Sequence, residues 1–140
     1  YECLQPEYNL VERKVYEGPL QDLCVKEEIG VIPFFSLAAG FLTGKYRSEA
    51  DLSKSVRGTR MAGKYLKTTT GPKVLDALDK VAAAHKATCA QVALAWLMSR
   101  KGLTAPIASA TNPAQLEELL GAAKLSLTPG DIAELDSASA

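Results

Sequence analysis

The residues of this chain that could do chemistry fall in three short clusters. The first is Cys3-Leu4-Gln5-Pro6-Glu7-Tyr8-Asn9. The second is Phe34–Tyr46, FFSLAAGFLTGKY: an apolar run, then small residues with two glycines, then Lys45. The third is Ser109–Gly121, SATNPAQLEELLG, a hydroxyl-rich turn that opens a helix. Small residues let a backbone approach a ligand closely, and a lysine offers a point charge for phosphate. A helix N-terminus offers unpaired N–H groups and a partial positive charge, the same kind of site. Each cluster also has a plain reading. Asn112 and Gln115 fit a helix cap, and Lys45 fits a solvated surface charge. Phe34 and Phe35, as strand neighbours, point to opposite faces, so one faces the core.

The remaining reactive side chains are scattered. Arg57 and Arg60 lie in a polar stretch and suit either a solvated loop or a lid over a nucleotide. His85, the sole histidine, sits at a helix end, where its charge favours the carbonyl dipole. Trp96 lies in the most apolar segment and reads as core. Cys3 shares strand parity with Gln5, yet no base is near it in sequence to activate a thiolate. No Ser/His/Asp set, metal-ligand cluster or acid pair stands out. The chain offers binding groups more than reacting ones.

Charge and composition narrow the classes. Acidic and basic residues balance to +0, which leaves no basic field for nucleic acid or an anionic membrane. Apolar residues reach 47 %, enough for a core, but no run approaches the ~20 residues that span a bilayer. There is no signal-peptide pattern. The three cysteines lack paired spacing, so reduced thiols in a cytoplasmic protein are expected. Tyr1 opens directly on strand-like sequence, and the 140 residues are expected to be a fragment of a longer polypeptide.

The elements that must position the clusters alternate. Strands are expected at Glu2–Gln5, Val31–Phe35 and Leu103–Ala108. A helix is expected over about 19–28, with Pro19 at its start and Gly30 beyond its end. A second opens at Pro72, and a third, Cys89–Ser99, is apolar almost all round and capped by Thr88 and Gln91. Asn112-Pro113 and Thr128-Pro129 start two more. Residues 47–72 show no period and read as one long loop, a length usually kept for function. Three parallel strands leave open edges and a bare apolar face, so further strands must complete the sheet. A (β/α)8 barrel is one host. A doubly wound sheet is the other, although no Gly-x-Gly-x-x-Gly follows the first strand. In a barrel, Gln5, Phe34–Leu37 and Ser109–Asn112 share one rim, where ligands bind.

Taken together, CLQPEYN, IPFFSLAAGFLTGKY, AQVALAWLMS and SATNPAQLEELLG resemble the final portion of an aldo-keto reductase, in the bacterial and potassium-channel β-subunit branch. The resemblance covers essentially the whole chain. It implies an α/β fold, the C-terminal part (about strands 6–8 with their helices) of a (β/α)8 TIM barrel, as one incomplete domain over 1–140 with a rim loop at about 47–72. It implies NADP(H) as cofactor and a small-molecule carbonyl substrate. By resemblance, Gln5 bonds the nicotinamide carboxamide and Phe34 stacks on its ring. Where the family has Ser-Pro-Leu, this chain has Phe35-Ser36-Leu37, which displaces the serine contact to the pyrophosphate by one residue onto Ser36, beside Leu37. Gly40 and Lys45 match the stretch around pyrophosphate and ribose. Arg57 matches a loop arginine near the adenosine. Ser109, Thr111, Gln115 and Glu118 match the adenosine-phosphate segment, with Leu119 where the family often has Asn. The family's Asp-Tyr-Lys-His tetrad has no match here. The resemblance therefore implies a reductase of aldehydes and ketones whose missing N-terminal part supplies the catalytic groups, this chain alone being inactive. The alternatives are a non-catalytic NADP(H)-binding regulatory subunit and an inert fragment.

Overall fold

Three extended segments lie side by side, all parallel, in the order in which the chain makes them. In a computed structural model, residues 1–56 and 58–140 are described, Thr59 and Arg60 by their backbone alone. Strand β1 (Cys3–Leu4) pairs with β2 (Gly30–Val31), Cys3 opposite Gly30 and Leu4 opposite Val31. Hydrogen bonds continue beyond them: Phe34 N–H donates to the Pro6 carbonyl (3.0 Å) and Tyr8 N–H to the Phe34 carbonyl (3.5 Å). The third segment runs along the other side of β2. Leu103 bridges Val31, Thr104 N–H donates to the Val31 carbonyl (2.8 Å), and Ile107 N–H donates to the Pro33 carbonyl (3.0 Å).

These are the expected strands, but their regular parts are far shorter than 2–5, 31–35 and 103–108. The third is reduced to one bridge. Pro6, Pro33 and Pro106 supply the reason. Each sits near the end of its segment and removes a donor from the ladder. Val31 N–H turns instead to the Thr104 hydroxyl (3.1 Å). That close approach is open because residue 30 is glycine; a Cβ there would lie 3.1 Å from the same oxygen. One face of the staves, with Val31 and Pro33 buried, packs on the helices, while Cys3, Gln5 and Thr104 are exposed.

The helices fall close to their expected places. α1 (Pro19–Lys26) crosses from β1 to β2. A long helix, Thr70–His85, begins two residues before Pro72, since a proline in the first turn costs no intrahelical bond. It stops at Lys86, which is left-handed (φ 51°). The helix Cys89–Met98 is buried from Val92 to Leu97 and capped as expected: Gln91 N–H donates to the Thr88 hydroxyl (3.2 Å), and Thr88 N–H to Gln91 Oε1 (3.1 Å). The helices Pro113–Gly121 and Pro129–Ala138 follow.

Residues 47–72 differ from the expected loop. They wind into a 3-10 helical segment at Glu49–Lys54, a π-helical turn at Gly58–Ala62 and a short helix at Gly63–Leu66. Asp51 starts the first by accepting from the N–H groups of Arg47 and Ser48 (both 3.0 Å). No element is long enough to show a hydrophobic period. The helices are hereafter α1 (Pro19–Lys26), α2 (Gly63–Leu66), α3 (Thr70–His85), α4 (Cys89–Met98), α5 (Pro113–Gly121) and α6 (Pro129–Ala138).

Trp96 does more than fill the core. The guanidinium groups of Arg13 (5.5 Å) and Arg100 (4.8 Å) lie over its ring, and its indole N–H donates to Asp136 (2.9 Å). Arg100 also bonds Asp136 (3.1 Å), Arg13 pairs with Glu17 (2.9 Å), and the Tyr8 hydroxyl donates to Glu17 (2.6 Å). Burial first, and this bond second, hold Tyr8 well above the usual phenol range. The network fastens the exit of β1 to α4 and α6.

Two further carboxylates brace α3. Arg47 grips Asp79 with two bonds (2.8 and 2.7 Å), and these hold its carboxyl below the usual range. Asp131 lies 2.7 Å from His85; partial burial opposes ionisation, but the bonds from His85 and Thr128 prevail and lower its pKa. A lowered folded-state pKa gives stability that is present above the unfolded value, ~3.9 for Asp, and lost as pH falls through the folded one. The thermal midpoint should therefore be level between about pH 5 and 7 and decline below about pH 4. Asp79→Asn should shallow that decline; an acid limb as steep as the parent's would show that Asp79 does not contribute to it.

Candidate functional site

Beyond Pro33 the chain leaves β2 and turns sharply. Phe35 (φ 54°), Ala38 (φ 49°), Ala39 (φ 56°), Gly40 (φ 91°) and Gly44 (φ 78°) are all left-handed. Three of these residues are not glycine, and such strain persists only where the surroundings hold it, often at a site. The turn forms one wall of a cleft of about 960 Å³. The opposite wall is Ile107–Ser109 and the first turns of α5, with Ala90 of α4 and Ser55 and Val56 also lining it.

The two phenylalanines do not split between faces as strand neighbours should. Both line the cleft, with ring centroids 5.1 Å apart, because left-handed Phe35 breaks the alternation. Ser36 and Leu37 follow on the same wall. Ser36 is 1 % exposed and its hydroxyl donates to the Pro33 carbonyl (3.2 Å), so this group is committed to backbone rather than offered to the cleft. Gly40 and Lys45 form the next part of the wall. A Cβ on Gly40 would lie 3.2 Å from Lys45 Cε and 3.3 Å from its Nζ, so the lysine end folds over the glycine. The ammonium also sits 5.0 Å from the centre of the Tyr46 ring. Thr43 closes the turn by donating to the Gly40 carbonyl (2.7 Å).

Across the cleft, Ser109, Thr111, Gln115 and Glu118 all line the wall. Asn112 caps α5 by accepting from Gln115 N–H (3.0 Å). Gln115 does not complete a box with Asn112. Its Oε1 reaches one residue further, accepting from the N–H and hydroxyl of Thr111 (both 2.8 Å). The Glu118 carbonyl accepts from Gln91 (2.9 Å), which fixes α5 on α4. Leu119 makes the floor apolar at this end. The titratable groups among the described lining residues are Lys45 and Glu118.

One expected residue is not part of this wall. Gln5 is exposed at the end of its stave and does not line the cleft. Arg57 lies outside the described residues. Among the described residues no group of His, Cys, Asp and Glu could hold a metal ion. Cys3 is exposed, and at Cys89 burial and then the bond to Asp79 push the thiol up to about 11, away from thiolate chemistry.

The site therefore has an aromatic end, a left-handed turn with a cation, and a capped helix N-terminus opposite. Residues 1–140 match the model of the aldo/keto reductase family throughout. This chain belongs to that family. It is 32 % identical over 137 residues to an L-glyceraldehyde 3-phosphate reductase of Escherichia coli O157:H7, covering 94 % of this chain and 40 % of the relative. The same identity and coverage hold for the protein of that name in Escherichia coli strain K12. The chain thus spans about 40 % of the length of the curated relatives it matches. A solved thermostable aldo-keto reductase, in complex with the inhibitor epalrestat, superposes with a TM-score of 0.68. That pair is 23 % identical and covers 97 % of this chain and 39 % of the other, a likeness of fold. Family and neighbour together imply a (β/α)8 barrel-like α/β architecture, of which this chain displays three parallel staves with their helices.

Several site features had no sequence signal. Ala39, Ile107 and Val56 looked like ordinary apolar residues, and nothing in Phe35-Ser36-Leu37-Ala38-Ala39 announces left-handed backbone. Gly40 has the largest positive φ of the turn (91°). Gly40→Ala should lower unfolding stability by about 1–2 kcal/mol, from the left-handed backbone alone. Urea denaturation measures it; an unchanged midpoint would contradict the strained turn.

Proposed function

We propose that the cleft holds NADP(H) and that the chain is the cofactor-binding C-terminal part, about strands 6–8 with their helices, of a cytoplasmic barrel reductase of aldehydes and ketones. The observation that carries this reading is the meeting of Phe34, Lys45 and the α5 N-terminus on one cleft of about 960 Å³. A dinucleotide has the same sequence of parts: a flat ring, two linked phosphates and a nucleoside. Phe34 would stack on the ring. The turn around Gly40 and the ammonium of Lys45 would meet the phosphates. Ser109, Thr111, Gln115 and Glu118 would bind the adenosine end, and Gln5, on the neighbouring stave, would reach the carboxamide. The bound nicotinamide would supply hydride to a carbonyl carbon. The residues of this chain would bind, orient and shield it from water.

The proton that completes carbonyl reduction must come from elsewhere. Lys45 and Glu118, the titratable groups in the described lining, sit among phosphate- and adenosine-binding positions. The missing N-terminal part would bring the Asp-Tyr-Lys-His tetrad, in which a tyrosine donates to the carbonyl oxygen. The relatives' name makes L-glyceraldehyde 3-phosphate the first substrate to assay. A binding cleft without an acid–base set also suits the second reading, a regulatory NADP(H)-binding subunit.

Titration of NADPH fluorescence with the 140-residue chain tests the proposal. Saturable binding is expected, and Lys45→Met should weaken it about tenfold, ~1.4 kcal/mol. The loss should shrink at high salt, where phosphate–ammonium attraction is screened. No NADPH oxidation is expected with L-glyceraldehyde 3-phosphate. Absence of binding, or equal affinity in Lys45→Met, would count against the reading.

A further inference from the structure

We propose that Asn9, a residue outside the cleft, is the positioning residue that keeps its aromatic wall in shape. The proposal rests on the dinucleotide reading of that cleft. Asn9 is 0 % exposed, and every polar atom of its side chain is engaged. Oδ1 accepts from the N–H groups of Val11 (2.9 Å) and Glu12 (3.0 Å). Nδ2 donates to the carbonyl of Phe35 (2.9 Å), 26 residues away. The two N–H donors fix which end of the amide is oxygen, since a flipped group would face donor with donor and acceptor with acceptor. Its backbone is tied as well, exchanging bonds with Glu12 (3.3 and 3.2 Å). The amide is therefore a rigid anchor.

What it anchors is a strained peptide. Phe35 is left-handed (φ 54°), an outlier for a bulky residue. Its carbonyl accepts twice, from Asn9 Nδ2 and from Ala38 N–H (2.7 Å), so both lone pairs are used and the peptide plane is fixed. Tyr8 N–H holds the preceding carbonyl, that of Phe34. The end of the first stave thus clamps the backbone of both phenylalanines from behind, while their rings face the cleft. A local Asx turn needs only Oδ1. The long-range donation from Nδ2 is the part that serves the cleft.

A double-mutant cycle with Phe35 tests this. Asn9→Ser keeps an oxygen for the Val11 and Glu12 N–H groups but does not reach Phe35. It should weaken NADPH binding about tenfold and speed amide exchange in residues 36–44 about tenfold, the scale of one lost hydrogen bond, with the Phe35 carbonyl keeping only the Ala38 N–H. Exchange in α4 should be unchanged. In a Phe35→Gly background, where glycine takes the turn without a clamp, Asn9→Ser should change affinity less than about twofold. Equal losses in both backgrounds, or faster exchange in α4 as well, would overturn the proposal in favour of a general structural role. If the parent chain binds no NADPH, the dinucleotide reading fails, and the exchange of residues 36–44 decides alone: unchanged rates in Asn9→Ser overturn the clamp, and local acceleration supports it.

Discussion

The structure depends on amide-to-carbonyl pairings between parallel segments, among them Phe34 to Pro6, Thr104 to Val31 and Ile107 to Pro33. Parallel neighbours need a crossover between them, and here α1 and the longer α3–α4 excursion supply it. Because all three segments run the same way, their ends lie together. Phe34–Leu37 and Ile107–Thr111 come to one rim for that reason, though residues 38–106 separate them in sequence. The prolines that shorten the regular ladder sit just where the chain departs, so the same residues that end pairing also begin the cleft.

Rigidity is distributed unevenly around this rim. Behind it, the fully buried Trp96 with the half-buried Arg13, Arg100 and Asp136 ties the exit of β1 to α4 and α6. At the rim, left-handed Phe35, Ala38 and Ala39 store strain that these supports must hold. The exposed face carrying Cys3, Gln5 and Thr104 is the opposite case, a sheet surface that the described residues leave uncovered. In the proposed reading that face is a barrel interior, and the family's remaining strands close it.

Much of this could be read from sequence. Thr88 with Gln91 and Asn112 with Pro113 marked helix starts, because caps are local chemistry. The apolar circumference of Cys89–Ser99 marked a buried helix for the same reason. The extended segments were legible by residue type but not by length, since Pro6, Pro33 and Pro106 act on a ladder whose register no single segment encodes. The turns within 47–72 were hidden by shortness. Of the candidate site, the small residues and Lys45 signalled a close-approach turn, and the hydroxyls of Ser109 and Thr111 signalled a helix mouth. The left-handed turn at Phe35 and its clamp by Asn9 were not legible, because both come from a contact between distant staves. Ser36 looked available for a ligand; its hydroxyl is turned to Pro33 instead.

The central claim is that the shared rim, and no other cleft, is the dinucleotide site. A second hollow of about 340 Å³ between Glu12, Lys14, Lys64 and the C-terminus offers an internal comparison. Amide chemical-shift mapping of the labelled chain with NADP⁺ separates the two. The account requires the perturbed amides to cluster in 34–45 and 109–118, with those of Glu12, Lys64 and Thr68 unmoved. Shifts centred on the second hollow, with the rim silent, would contradict it.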